Sequence, residues 1–175
     1  MDNIWKNIKT TANKIYSNEY FRVFWIVFAV GFIGLAIEAL PNNFTLLMSG
    51  DYVLQTVPFY SNGYHTIREF FRTGEFPLFD FSNFLGANSV GANSFYYLFS
   101  PLFYLLALWP EKYLMQGIFF HMLMKYAIGG LLFYILLKKY FKVSNKMSLL
   151  GAIVYAFSGW SLFYLWFHYS DIVAL

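Results

Sequence analysis

Phe21-Arg-Val-Phe-Trp-Ile-Val-Phe-Ala-Val-Gly-Phe-Ile-Gly-Leu-Ala-Ile-Glu-Ala-Leu40 is an apolar run whose ionisable side chains sit near its two ends. About twenty such residues are what an α-helix needs to cross the hydrocarbon core of a bilayer. Only a helix satisfies its own backbone hydrogen bonds where there is no water. The run is therefore expected to span a membrane. Roughly twenty residues precede it, it is full length, and no small-residue cleavage site follows, so it reads as a retained anchor rather than a cleavable signal.

Composition agrees. Of 175 residues, 59% are hydrophobic and 12% charged, against about a quarter charged in soluble domains. Aromatics make up 24%, which suits interfacial belts at a bilayer. The net charge of +3 is small and unevenly placed, so the bilayer is the expected partner and nucleic acid is not. There are no cysteines, which excludes disulfides and thiolate metal sites.

Lysine and arginine positions set the expected topology. Lys6, Lys9, Lys14 and Arg22 precede or open the first span, and Lys138, Lys139, Lys142 and Lys146 separate two later apolar runs. Both clusters should face the cytoplasm. Asp51, Glu69, Glu75 and Asp80 with Arg68 and Arg72 mark the Asn42–Ser94 region as exterior. Three apolar runs follow: Phe95–Trp109, Leu114–Leu137 and Met147–Phe167. The first is short, is broken by Pro101 and ends at Pro110, so it is expected to be re-entrant or interfacial. That reading keeps Lys138–Lys146 inside.

The fold class expected is thus all-α, a polytopic helical membrane protein with three spanning helices. Its parts are a cytoplasmic amphipathic basic segment at 1–20, a span at 21–40 and an exterior loop at 41–94. A re-entrant or interfacial helix at 95–109 and a span at 114–137 come next. A cytoplasmic basic loop at 138–146, a span at 147–167 and an exterior end at 168–175 complete the order. Asp171-Ile-Val-Ala-Leu175 reads as the start of another apolar segment, so the chain is expected to be the front of a larger protein and inactive alone.

Several polar residues stand out against this background. Asp51 lies just past the outlet of the first span, where a membrane enzyme would meet a lipid-borne substrate; its other reading is an N-terminal cap for Tyr52–Tyr60. Asp171 emerges on the same expected face. His65, Arg68 and Arg72 are spaced along one side of a short helix. An arginine fork suits phosphate, although snorkelling at headgroups would give the same pattern. Lys125 lies mid-span with Gly117, His121 and Gly129 at four-residue spacing. An ionisable group there costs about 2.5–3.5 kcal/mol and must face protein or a wet cavity. It reads either as the polar wall of a lipid-carrier groove or as a structural buried pair, with Glu38 a candidate partner.

Together the motifs carry a resemblance. Gly50-Asp51 with Gln55 is followed by Gly74-Glu-Phe-Pro-Leu-Phe79, Phe84-Leu-Gly-Ala-Asn88, Tyr96-Tyr97-Leu-Phe-Ser-Pro101 and Tyr155-Ala-Phe-Ser-Gly159, then Asp171. This resembles the N-terminal part of the YfhO family of bacterial membrane proteins and, more broadly, GT-C glycosyltransferases that use polyprenyl phosphates. The resemblance implies a GT-C-like helical membrane fold in the bacterial cytoplasmic membrane and a polyprenyl-phosphate sugar donor. It also implies a cell-surface polymer acceptor such as teichoic acid. Asp51 and Asp171 match the acidic positions of the first two exterior loops, as catalytic residues and candidate ligands of a divalent cation. Each is a single acid where some relatives carry a pair. Gln55, His65, Arg68, Arg72, Tyr96, Tyr97, His121 and Lys125 are the candidate substrate contacts. The competing function is a non-catalytic protein that binds or transports the lipid carrier.

Overall fold

A computed structural model of the chain describes residues 18–46, 52–81 and 86–164. Residues 1–17 of the expected basic segment, Asp51, Asp171 and the exterior end lie outside these residues. What is described is mostly helical.

The first helix, α1 (Glu19–Ala39), starts where the Asn18 side chain accepts from Tyr20 N at 2.9 Å. It buries Val23, Val27, Gly31 and Ala39, most of them a four-residue stripe, while Trp25, Ile33 and Ile37 remain exposed. A helix apolar all round with one narrow buried seam is suited to lipid on its other faces. A 3-10 turn, Leu40–Asn42, ends it. Asn43 and Phe44 then take positive φ angles of 52° and 59°, which folds the Phe44 ring back onto Phe32 and Phe119.

A π-helical turn, Tyr52–Thr56, runs into α2 (Val57–Thr73), which stops at Gly74 in a left-handed conformation with φ 78°. Tyr60, Gly63, Tyr64 and Ile67 form its buried face. The two-residue strands β1 (Phe79–Asp80) and β2 (Ala87–Asn88) pair antiparallel. The short α3 (Ser89–Asn93) is capped by Asn88, which accepts from Gly91 N. Asn93 closes the same turn by donating to Ser89 O, so the two Gly-Ala-Asn-Ser stretches, 86–89 and 91–94, both serve this turn.

Between Ser94 and Pro110 there is no long helix. A π turn, Ser94–Leu98, leads through Pro101 to α4 (Phe103–Leu106), a single turn. Tyr97 packs against Gly63 and Trp109 meets Tyr64, so both ends of the segment lie against the middle of α2. Phe103, between them, reaches in to Tyr60 and His121.

The longest helix, α5 (Leu114–Lys139), is antiparallel to α1: Glu19 meets Tyr134 and Lys138 at one end, and Phe44 meets Phe119 at the other. At 1.5 Å per residue α5 is about 39 Å long. Among the described residues, two helices, Glu19–Asn42 and Glu111–Lys139, are long and apolar enough to cross a membrane. After a turn through Lys142 at φ 55°, α6 (Asn145–Ala156) packs back on α5. Its buried Ser148, Ala152 and Ala156 let the backbones approach closely, as small residues do between membrane helices. Within the expected third span the helix breaks at Phe157–Ser158 and restarts as α7 (Gly159–Tyr164). The Ser158 hydroxyl accepts from Ser161 N at 3.3 Å, capping the new start; the described part of that run is therefore two helices, not one.

Candidate functional site

Two polar residues of the interior converge on one tyrosine. Lys125 and His121 lie one turn apart on α5, and both face α2. The Lys125 ammonium, 2% exposed, donates to the Tyr60 hydroxyl at 3.0 Å. The His121 ring stacks on Tyr60 at 5.7 Å and meets Phe103 edge-on. Lys125, expected to face protein or a wet cavity from its stripe with Gly117, His121 and Gly129, thus faces protein. Tyr60 of α2, to which it donates, is a residue the sequence did not single out. Gly117 has its own use: a Cβ there would lie 2.7 Å from Leu106 and 2.9 Å from Trp109, so α4 seats directly on the α5 backbone.

One helical turn outward from Tyr60, Tyr64 donates to the Trp109 carbonyl at 2.7 Å and accepts from Arg68. The Arg68 guanidinium also lies 3.4 Å from that carbonyl and 5.1 Å from the Tyr64 ring centre. Tyr60, Tyr64 and Arg68 therefore form an i, i+4, i+8 ladder from the buried lysine to the surface. Arg72, by contrast, is bound by Glu69, with Nε to Oε2 at 3.0 Å. The Arg72 guanidinium holds the Glu69 carboxyl below its ordinary value. His65 Nε2 is 3.9 Å from Glu111 Oε1. His65, Arg68 and Arg72 do share one face: they line a single open recess with Thr66, Glu69 and Pro77.

Gln55 and Tyr96 are brought together across 41 residues of chain, the tyrosine hydroxyl donating to Gln55 Oε1 at 3.0 Å. Phe59 stacks on Tyr96 at 3.8 Å. Tyr97 points the other way along α2 and is fully buried on Gly63. It serves packing here, so the two adjacent tyrosines have different surroundings.

On the other side of the 94–109 segment lies an apolar groove of about 280 Å³ between α1, α4 and α5. Trp25, Phe28, Leu105, Trp109 and Phe120 supply its walls, and His121 is the ionisable side chain among its lining. Trp109 lies between the two places. Its ring lines the groove and its carbonyl is held by Tyr64 beside Arg68 of the basic recess. Tyr60, Tyr64 and Trp109 were missed by sequence reading; the four-residue ladder ending at Arg68 was the available signal. Among the described residues, no group of three His, Asp or Glu side chains is placed to hold a metal ion. The two predicted cation ligands, Asp51 and Asp171, lie outside them.

The sequence matches the family described as bacterial membrane protein YfhO over residues 23–174. No curated protein and no solved structure gives a match. The match covers most of the chain, which therefore belongs to the YfhO family of bacterial membrane proteins.

Proposed function

We propose that this member of the YfhO family is a membrane glycosyltransferase that takes a sugar from a polyprenyl-phosphate carrier and attaches it to a cell-surface polymer such as teichoic acid. The observation that carries the reading is the position of Trp109, with an apolar groove on its ring side and a basic recess on its carbonyl side. A polyprenyl phosphate is an amphiphile of that kind: the isoprenoid would lie along Trp25, Leu105 and Phe120, and the phosphate would meet Arg68. Arg68 suits the task better than Arg72, since its described contacts are the neutral oxygens of Tyr64 and Trp109, whereas Arg72 already pairs with Glu69.

Transfer breaks the bond between the anomeric carbon and a phosphate oxygen. The phosphate leaves as an anion and needs positive charge nearby, and the acceptor hydroxyl must lose a proton. Asp51 is proposed as the base that takes it, a role with typical gains of about 10²–10⁴-fold. Asp171 is proposed as the second acid, and a divalent cation held by both would neutralise the departing phosphate. The same groove and recess would also suit a protein that binds the lipid carrier without reacting it. One comparison separates the two in the full-length protein. Asp51→Asn should abolish transfer yet leave carrier binding intact; transfer within a few-fold of wild type would remove Asp51 from the reaction and favour the binding protein.

A further inference from the structure

A second cavity, at the opposite end of α5 from Trp109, has no role in the glycosyl-transfer reading. It measures about 210 Å³ and opens where the start of α1, the end of α5 and the start of α6 meet. Glu19, Arg22, Tyr134, Asn145 and Lys146 supply its polar lining. Glu19 would repel an anion, but its carboxylate is already engaged: it pairs with Lys138, accepts from Tyr134 at 3.0 Å and accepts from Asn145 at 3.5 Å. Arg22 and Lys146 are exposed, and among the described residues neither forms an ion pair. With Glu19 neutralised, these two cations set the sign of the cavity.

Arg22 also borders a neighbouring apolar recess with Phe21, Trp25 and Ile26. A cationic cradle continuous with an apolar trough matches a phosphate ester carrying acyl chains. A free phosphate would leave the trough unused. Lys139 and Lys142 stand at the same helix end, and a lysine-rich end faces the cytoplasmic leaflet, whose surface is anionic.

We propose that this end of the bundle is a binding site for an anionic glycerophospholipid, its phosphate between Arg22 and Lys146 and its proximal acyl carbons on Phe21, Trp25 and Ile26. Basic pockets between membrane helices bind such headgroups through charge, and the apolar trough supplies the selection for a lipid. The site is independent of any reaction at Trp109, and transfer activity is not its readout.

The test counts lipids retained by the purified full-length protein in native mass spectrometry, after exchange into detergent with either phosphatidylglycerol or phosphatidylcholine. Phosphatidylglycerol should be retained over phosphatidylcholine. Arg22→Gln and Lys146→Gln should each lower its retention about fivefold, and Arg22→Lys and Lys146→Arg should preserve it. Both side chains are exposed, so these changes should leave folding intact. Glu19→Gln provides a reading of opposite sign: releasing Lys138 toward the phosphate should raise retention. Equal retention of the two lipids, wild-type retention in the double glutamine variant, displacement by inorganic phosphate, or reduced retention in Glu19→Gln would each overturn the proposal.

Discussion

Arg68 and Arg72 are one turn apart on α2 and differ in what surrounds their charge. Glu69 answers the charge of Arg72, and Arg68 is steered by the Tyr64 hydroxyl and the Trp109 carbonyl. If Arg68 grips the carrier phosphate, Arg68→Gln should raise the KM for the carrier roughly ten- to hundredfold, the worth of a hydrogen bond to a charged group. Arg72→Gln should change it by only a few-fold. Steady-state kinetics with a short-chain polyprenyl-phosphate sugar would show the contrast. The Glu69–Arg72 pair has its own pH signature. Because Glu69 is held below its ordinary value by Arg72, its contribution is full above the unfolded carboxylate range of about 4 and is lost as pH falls through the lowered value. The Tm difference between wild type and Glu69→Gln should therefore be constant between pH 7 and 5 and should shrink only as pH falls below about 4. Deeper in, Tyr60→Phe removes the hydroxyl to which the buried Lys125 ammonium donates. A loss of about 1.5–3 kcal/mol is expected, read as a lower Tm in detergent.

At the scale of elements, the contact between α2 and the 94–109 segment decides the shape of the site. That contact depends on a missing side chain. A Cβ at Gly63 would stand 2.6 Å from the Tyr97 ring, and Tyr97 has no room to retreat because it is fully buried. Gly63→Val should cost about 1–3 kcal/mol through overpacking and should also disturb the Tyr96–Gln55 hydrogen bond. Gly34→Ala on α1 is the matched control. Nothing lies within 4 Å of a Cβ there, so thermal stability should hold or rise slightly with the better helix former. If both variants melt alike, the packing of Tyr97 on Gly63 is not what holds the segment.

For the whole molecule, the arrangement separates two chemistries to opposite ends of α5: the Trp109 site near Leu114 and the Arg22–Lys146 cavity near Lys138. The topology expected from the lysines would put the first outside and the second inside the cell. The chain has no cysteine of its own, so single cysteines at Glu111 and Asn145 can be labelled cleanly; both positions are exposed. A membrane-impermeant maleimide should react from outside with the cysteine at 111 and fail at 145. Labelling at 145 in intact cells would invert the orientation and move the Trp109 site away from any exterior polymer.

Membership of a helical membrane family was legible in the sequence, because spanning a bilayer imposes a length and an apolarity that twenty residues such as Phe21–Leu40 display without any partner. The interruption at Pro101 was legible for the same reason, since a ring without an N–H disrupts a helix wherever it lies. The clustering of His65, Arg68 and Arg72 followed from helical spacing on a single element. What the sequence did not contain in readable form were pairings between elements. Tyr60 beneath Lys125, Tyr64 on the Trp109 carbonyl, and Gly63 under Tyr97 each join residues far apart in the chain. Nothing about a tyrosine announces which distant backbone it will meet. The break at Ser158 was likewise hidden, because an apolar run of the right composition reads as one helix whether or not a serine hydroxyl caps a new start within it. Local periodicity is set by each segment's own covalent geometry and its solvent, whereas the division of the interior into an apolar groove and a basic recess exists only once α2, α4 and α5 have packed around Trp109.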